Sequence, residues 1–330
     1  MTIPLSSQRP QRKSAMSATS TDAIPYRIRL THALLQLWPF LRGRGRISQL
    51  FLYKLNRWPE QARASFHFRF GRFVDAPIAS WPRGYKDLFL YGVFDVGELA
   101  MWRRVLKAGA TVVDGGANWG YWSLVASKFV GKSGRVHAFE PVLATFEALR
   151  KNIEASRASN VMLHQAALAD ENGSTWIKLA ADDPIGGQSS LGRPEDRQSI
   201  RMVECNMVTL DEVFQDQPVH LIKLDVEGGE LAALRGATGI LRRREKPVIT
   251  FEWNRVTASA LGYQPTAIGK LLGDYQYRLF RATQHGPVPF QERSDLAQWS
   301  PMIWALTEAQ QSKYLNRSGS MEGTSESEQW

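Results

Sequence analysis

Cysteine is almost absent from this chain, since Cys205 is the single one among 330 residues. One cysteine cannot form an internal disulfide, and a zinc site built from several thiolates is excluded as well. These two absences favour a reducing compartment. We therefore expect a cytoplasmic protein.

Long apolar segments are also lacking near the start of the chain. Residues 1–23 are rich in Ser, Thr, Gln and Arg and contain no apolar core of the length that a secretory signal needs. The apolar run at 28–40 is interrupted by polar residues and by Pro39, and it is too short to cross a bilayer. The sequence predicts neither a signal peptide nor a transmembrane helix.

Positive charge is concentrated in the first 75 residues, where thirteen basic and three acidic side chains give a net charge of +10. The whole chain carries +9, so the other 255 residues sum to −1. Such a basic, aromatic segment can cap the domain with its arginines in water, or can lie at the anionic inner surface of a membrane. We favour the cap. No nucleic-acid module accompanies these residues, so a specific nucleic-acid partner is not expected.

Strand and helix patterns alternate from residue 110 onwards. Short aliphatic or β-branched runs predict strands at 111–113, 135–139, 161–165, 220–224 and 247–251. An edge strand is predicted at 175–179, and two later strands are predicted at 277–280 and 301–306. Helical spacing of apolar residues between them predicts an α/β fold with a mostly parallel sheet and helices on both faces. We predict a disordered leader at 1–24, an extension of helices and a β ribbon at 25–109, a cofactor-binding domain at 110–310, and a disordered tail at 311–330.

A glycine-rich turn follows the first predicted strand. Gly115, Gly116 and Gly120 permit tight backbone geometry, and the helix that begins near Tyr121 directs free N–H groups towards the same space. A strand, a glycine turn and a helix N-terminus together form a nucleotide-cofactor site. The turn alone is compatible with nicotinamide, flavin or S-adenosylmethionine.

Acidic residues at the ends of successive strands narrow the choice of cofactor. A carboxylate at Asp114 would repel a pyrophosphate but attract the amino group of a methionyl moiety. Glu140, twenty residues beyond Gly120, would accept hydrogen bonds from ribose hydroxyls. Gln165 and Ala166 lie at the end of the third strand, where they would contact the adenine. This arrangement favours S-adenosylmethionine, with Gly116 and Gly120 leaving room for it.

Further carboxylates follow the fourth and fifth strands. The carboxyl ends of parallel strands share one edge of a sheet, so Asp225, Glu227 and Glu252 are expected near the cofactor. They could remove a proton from the substrate or orient its hydroxyls. Glu230 is better suited to cap the next helix, and Glu252 could also pair with Lys223. A divalent ion held by the three carboxylates is the less favoured alternative, and no metal site is predicted.

Three segments together resemble the FkbM family of S-adenosylmethionine-dependent methyltransferases. They are 113–120 (VDGGANWG), 138–141 (AFEP) and 221–230 (LIKLDVEGGE), with Phe251 and Glu252 completing the pattern. The resemblance covers about 92–281, and it departs at Gly115, where the family more often has an aliphatic residue. It implies a class I methyltransferase (Rossmann-like) fold. The predicted cofactor-binding residues are Asp114, Gly116, Ala117, Asn118, Gly120, Glu140, Gln165, Ala166 and Asp225.

The resemblance implies O-methylation of a hydroxyl on a sugar, glycolipid or related small natural product. Because the hydroxyl must be aligned with the methyl group and lose its proton, Asp225, Glu227 and Glu252 are the predicted catalytic residues. The polar loop at 182–199 is expected to help close the acceptor site. A protein or nucleic-acid methyltransferase, or a membrane-associated interaction protein that retains the fold, remains an alternative, and the oligomeric state is not predicted.

Overall fold

The computed structural model describes residues 63–77, 88, 92–180, 200–283, 286–292 and 300–315. The predicted leader at 1–24, residues 25–62 of the extension, the polar loop at 182–199 and the tail beyond 315 lie outside these ranges. Within the described ranges, no helix has both the length and the apolar character needed to cross a membrane.

Strands and helices alternate along most of the described chain. The strands are β1 Arg63–Phe68, β2 Gly71–Pro77, β3 Thr111–Gly115, β4 Arg135–Phe139, β5 Val161–His164, β6 Ala167–Leu168, β7 Gly173–Ala180, β8 Ile200–Val208, β9 Leu221–Leu224, β10 Val248–Glu252, β11 Tyr277–Arg281, β12 Val288–Pro289 and β13 Met302–Thr307. The helices are α1 Val96–Val105, α2 Tyr121–Val130, α3 Leu143–Ala155, α4 Leu210–Phe214, α5 Glu230–Arg235, α6 Thr238–Arg242, α7 Arg255–Ala260, α8 Thr266–Asp274 and α9 Glu308–Leu315.

The main sheet has eight strands in the order β12-β11-β13-β10-β9-β3-β4-β5. Five neighbouring strands of this sheet are parallel, namely β10, β9, β3, β4 and β5. Strand β13 runs antiparallel between β10 and β11. This mostly parallel sheet confirms the predicted class I methyltransferase (Rossmann-like) fold. The strand order reverses between β3 and β9, and such a switch point opens a ligand crevice at the carboxyl ends of the strands.

Apolar side chains cover both faces of the sheet because successive residues of a strand point to opposite sides. On β3, Val112 contributes to one buried cluster with α1 and α2, whereas Val113 contributes to a second cluster with α5, α6 and α8. All four residues of β9 are buried. Short apolar runs of this kind are typical of parallel strands that are covered on both faces.

The predicted β ribbon is confirmed, since β1 and β2 form an antiparallel pair. It packs on the core of the α/β domain: the ring of Phe68 lies 5.8 Å from Tyr121, and that of Phe73 lies 6.1 Å from Trp119. In α1, Trp102 stacks on Trp122 of α2 at 4.8 Å. The predicted boundary at 110 therefore divides one hydrophobic core, because the apolar residues before it are buried against those after it.

At the other end, the predicted domain limit at 310 falls inside α9. Residues 311–315 are helical, so the expected disorder is wrong for them. Tyr314 is buried, and its carbonyl accepts a hydrogen bond from Arg104 of α1 at 2.8 Å. The polar composition of this segment concealed the helix, which is fixed by one buried ring and one long-range hydrogen bond.

A second sheet, in the order β6-β8-β7, stands beside the first. The sequence predicted an edge strand at 175–179 but missed β8, whose alternation of polar residues with Val203 and Cys205 is the pattern of a half-buried strand. Ile177 and Cys205 pack on Val142, two residues after Glu140. This sheet therefore lies next to the carboxyl end of β4.

Candidate active site

The glycine turn after β3 has three residues in the left-handed region, namely Gly116, Asn118 and Gly120, with φ of 69°, 51° and 91°. A Cβ atom on Gly116 would lie 1.8 Å from the carbonyl oxygen of Asp225, and one on Gly120 would lie 2.6 Å from a methyl of Leu149. The prediction that these glycines leave room for the cofactor is therefore corrected. The space at both positions is filled by the protein, and Gly116 allows two turns to touch.

Gly115, the departure from the family pattern, also lies in a filled space. An added Cβ would be 2.8 Å from Leu168 and 3.0 Å from Leu224. These leucines occupy the volume into which a larger residue at 115 would project. Glycine at 115 therefore fits the packing of Leu168 and Leu224 around it.

Glu140 closes the turn from the end of β4. One carboxylate oxygen accepts the backbone N–H of Asn118 at 3.1 Å, and the other accepts that of Val142 at 3.1 Å. Burial raises the pKa of Glu140 to about 7, although these two N–H groups oppose the shift. The carboxylate is therefore held at the edge of the sheet, beside the turn. Ala117 adds a backbone bond from its N–H to the carbonyl of Phe139 at 2.9 Å.

Asp114 is fully buried beneath the turn. Its Oδ2 atom accepts a 2.6 Å hydrogen bond from Ser123, and its Oδ1 atom lies 3.0 Å from Nζ of Lys223. A carboxylate with no accessible surface cannot touch the amino group of a ligand unless the site rearranges. The predicted direct contact is therefore not available in this structure, and Asp114 instead fixes Lys223 and the start of α2.

Lys223 is the main site residue whose position the sequence reasoning missed. Its ammonium donates to the carbonyls of Gly115 at 3.2 Å and Gly116 at 2.9 Å, and lies 3.7 Å from Asp225. Burial opposes its charge, but Asp114 and Asp225 together raise the pKa of Lys223. It pairs with these two carboxylates rather than with Glu252. The signal was a lysine inside the apolar strand β9, since a buried charge requires a partner.

The structure brings the three predicted catalytic carboxylates together. Asp225, with 40% of its side chain exposed, follows β9. Burial, followed by repulsion from Asp225 and Glu230, raises the pKa of Glu227 to about 8, while Lys223 opposes the shift. Burial and repulsion from Asp225 and Glu227 also raise the pKa of Glu252. These side chains form a cluster, which we call the acidic cluster, defined as Asp225, Glu227 and Glu252.

Glu230 is the first residue of α5, where the sequence predicted a helix cap, but its side-chain bonds to Val226 and Gly228 lie in the turn before the helix. One of its oxygens accepts the backbone N–H groups of Val226 at 3.0 Å and Gly228 at 3.3 Å. The other accepts the hydroxyl of Tyr263 at 3.3 Å. Glu230 thus stabilises the turn that carries Glu227, whose φ is 52°.

Gln165 and Ala166 follow β5 at the edge of the sheet that also carries Glu140, with Gln165 exposed and Ala166 buried. Beside them, His164 stacks on Phe139 at 4.3 Å and lies 3.1 Å from a ring nitrogen of His137. Burial lowers the pKa of His164, and burial together with His164 lowers that of His137 to about 4. His137 is thus a packed histidine, stacked on His164 and in contact with Phe214.

The family model of the methyltransferase FkbM domain matches residues 114–279, which is half of the chain. The chain belongs to the FkbM methyltransferase family. This family is S-adenosylmethionine-dependent, and the match includes the glycine turn, Glu140 and the acidic cluster.

Relatives of this FkbM chain share limited identity with it. Methyltransferase 1 of Beauveria bassiana is 27% identical over 170 residues, covering 46% of this chain and 65% of the relative. Ribosomal RNA large subunit methyltransferase E of Cellvibrio japonicus is 27% identical over 170 residues, covering 51% and 74%. A crystal structure of methyltransferase FkbM from Methylobacillus flagellatus, at 16% identity and a TM-score of 0.38, covers 67% of this chain and 52% of that one. The chain thus spans less than two thirds of Methyltransferase 1 and about half of the solved FkbM chain.

Residues before the matched FkbM region also contribute to the site. The hydroxyl of Tyr121 donates to the carbonyl of Phe94 at 3.0 Å and accepts its N–H at 3.1 Å. In α1, Glu98 accepts a 2.8 Å bond from the indole of Trp304. Burial raises the pKa of Glu98 well above its usual range, and Asp225 adds to the shift. The segment at 93–98 therefore lies close to both the turn and the acidic cluster.

Metal coordination has no support in the part of the FkbM domain that the structure describes. Across those residues, no group of three or more His, Cys, Asp or Glu side chains is arranged to hold a metal ion. Lys223, whose ammonium lies 3.7 Å from Asp225, places a cation beside the acidic cluster.

Proposed function

We propose that this protein is an S-adenosylmethionine-dependent O-methyltransferase acting on a hydroxyl of a sugar, glycolipid or related small natural product. The acidic cluster beside the cofactor turn carries this proposal. Removing a proton from a hydroxyl requires a base, and carboxylates with raised pKa values are stronger bases than ordinary ones. Glu227 and Glu252 have this property, and both follow strands at the cofactor edge of the sheet.

The residues at this edge fit the cofactor. Glu140 is a fixed acceptor for the ribose hydroxyls, and Gln165 with Ala166 would border the adenine. Because Asp114 is buried, we assign the amino group of the cofactor to the half-exposed Asp225, whose backbone N–H is bonded to Gly115 at 3.1 Å. The bound cofactor supplies an activated methyl group on its sulfonium.

The protein then has two tasks at the acceptor side, namely alignment and proton removal. Glu252 is oriented by Asn254, whose amide lies 3.3 Å from one carboxylate oxygen. Asn254 also caps α7 by accepting the N–H of Val256 at 3.0 Å, so its side chain is fixed. We assign Glu252 as the base and Glu227 as the carboxylate that raises its basicity and contacts the acceptor.

Replacing Glu140 with glutamine should weaken binding of S-adenosylhomocysteine, the demethylated cofactor, by roughly tenfold or more, since hydrogen bonds to a charged group are lost. Isothermal titration calorimetry measures this. Glu154→Gln is the matched control because Glu154 is exposed on α3 and, among the residues that the structure describes, its ion pair is with Arg150. Absence of binding to the folded wild-type protein would remove the cofactor assignment itself, whereas equal affinity in Glu140→Gln would remove only the ribose contact.

The acceptor is found by incubating the protein with methyl-labelled cofactor and fractions of cell extract. We expect the label in a small-molecule or saccharide fraction that survives protease and nuclease, and we expect it to resist alkali, because methyl ethers do and methyl esters do not. A nucleic-acid acceptor is the second candidate, since one relative is named as a ribosomal RNA methyltransferase. Loss of the labelled product after nuclease treatment would establish that alternative.

Turnover of this acceptor should depend on pH through the acidic cluster. A base must be ionised, and Glu252, the assigned base, has a pKa that burial and the neighbouring carboxylates raise to about 9, so it is protonated below that value. Below about pH 9 the kcat/KM of the wild type should therefore rise about tenfold per pH unit until Glu252 ionises. Rates that do not change between about pH 6 and 9 would exclude this cluster as the base.

Glu252→Gln separates this role from cofactor binding. We expect kcat to fall by roughly a hundredfold or more, with the affinity for S-adenosylhomocysteine unchanged within about twofold. Glu154→Gln again serves as control.

The cytoplasmic location and the membrane contact of residues 25–62 stay predictions, because those residues lie outside the described ranges.

A further inference from the structure

A large cleft opens at the edge of the sheet opposite the methyl-transfer site. It lies beside the amino ends of β3, β9 and β10 and extends to β11 and α9, with a volume of about 1340 Å³. Basic residues from five segments line it, namely Lys107, His220, Arg244, Lys246, Arg278 and Lys313. The sheet separates this cleft from the glycine turn, so the two sites are distinct.

Positive charge in the cleft exceeds negative charge. Five lysine and arginine side chains line it, against the carboxylates of Glu245 and Glu308. Four of these cations, at positions 107, 244, 278 and 313, are exposed. Within the described ranges, none of the four forms an ion pair with a carboxylate. A low-dielectric concavity with this excess attracts anions.

Two further donors are fixed by the fold. Nδ1 of His220 accepts the backbone N–H of Thr111 at 2.9 Å, so the neutral ring carries its proton on Nε2. The ammonium of Lys246 donates to the carbonyl of Tyr275 at 2.7 Å, which leaves two N–H groups for a ligand. Positioned N–H donors combined with unpaired cations are the chemistry that recognises phosphate oxygens.

We propose that this cleft binds a soluble organic polyphosphate. A flat bilayer would reach only the rim of a concave site, whereas the cations are distributed around the walls. Single-stranded nucleic acid usually stacks its bases on aromatic side chains. Two tyrosines line the cleft, Tyr277 and Tyr314, and they are only 4% and 6% exposed. Their rings therefore offer no open face on which a base could stack. A compact ligand with several phosphates uses the whole wall of cations.

Inorganic tripolyphosphate is the probe, because it lacks the adenosine that could enter the cofactor site. Calorimetry is performed with the protein saturated in S-adenosylhomocysteine. We expect binding that weakens as salt increases. The double variant Arg278→Gln/Lys313→Gln should bind tripolyphosphate roughly tenfold more weakly or worse. Thermal unfolding and the affinity for S-adenosylhomocysteine should stay close to the wild type.

The matched control is Lys128→Gln/Lys270→Gln, which removes the same charge from two exposed positions outside the cleft. Absence of tripolyphosphate binding, or an equal loss in the control, would overturn the proposal. So would binding of phosphoinositide vesicles or a single-stranded oligonucleotide that depends on Arg278 and Lys313 while tripolyphosphate does not compete. None of these results depends on whether methyl transfer occurs.

Discussion

Gly116→Ala is expected to abolish cofactor binding and to destabilise the fold by more than about 4 kcal/mol. The new Cβ would lie 1.8 Å from the carbonyl oxygen of Asp225. This oxygen is a backbone atom, and the Cβ is bonded directly to the backbone. No side-chain rotation can relieve the overlap, so the turn after β3 must move away from the end of β9. Such a displacement misplaces both halves of the site, and affinity for S-adenosylhomocysteine should fall about a hundredfold or more.

Gly262→Ala is the matched control for this prediction. Gly262 has a similar φ of 80°, but no atom of the described part of the chain lies within 4 Å of an added Cβ. This variant therefore carries only the backbone strain, on the order of 1 to 2 kcal/mol, and should retain cofactor affinity. Chemical denaturation measures both free energies of unfolding. If the two variants lose the same stability, close approach to Asp225 is not the reason for glycine at 116.

Lys223→Met is expected to cost about 3 to 5 kcal/mol of folding free energy, because it leaves the carboxylate of Asp114 buried without its counter-charge. The variant also loses the donor that holds the carbonyls of Gly115 and Gly116. Removing a partner from a buried pair is more destabilising than removing the pair. Urea unfolding, followed by circular dichroism, gives the difference.

The double variant Asp114→Asn/Lys223→Met tests that explanation. Asparagine keeps a hydrogen-bond acceptor for Ser123 but has no charge, so the double variant should be more stable than Lys223→Met alone. Arg150→Met removes a cation whose partners, Glu147 and Glu154, are exposed, and it should cost less than about 1 kcal/mol. Additive losses in the double variant would contradict the role of the buried pair.

The sequence predicted the parallel half of the sheet well because its strands are short, continuous apolar runs. It missed β8, where an alternating pattern in a polar stretch was obscured by the neighbouring loop. It also ended the domain inside α9, since one buried tyrosine among polar residues is a weak signal. Elements that depend on long-range contacts, such as the bond from Arg104 to Tyr314, are not visible in local patterns.

In the candidate site, too, the sequence predicted what local patterns determine and missed what long-range contacts determine. Strand ends share an edge, so the sequence could place Glu140, Asp225 and Glu252 together. It could not show that Asp114 is buried, because the partner that neutralises Asp114 is Lys223 on another strand. The glycines were located correctly, but their neighbours were not: the atoms that exclude a side chain at 116 belong to the turn after β9.

The position of β13 shows that the region matched by the family is smaller than the unit that folds. The family match ends at residue 279, whereas β13 lies between β10 and β11 in the sheet. A fragment cut to residues 114–279 would leave the facing edges of β10 and β11 without hydrogen-bond partners. It would also remove Trp102 and Trp304, two of the largest fully buried side chains. The matched region therefore holds most residues of the candidate site, whereas completing the sheet and the core requires the segments on both sides of it.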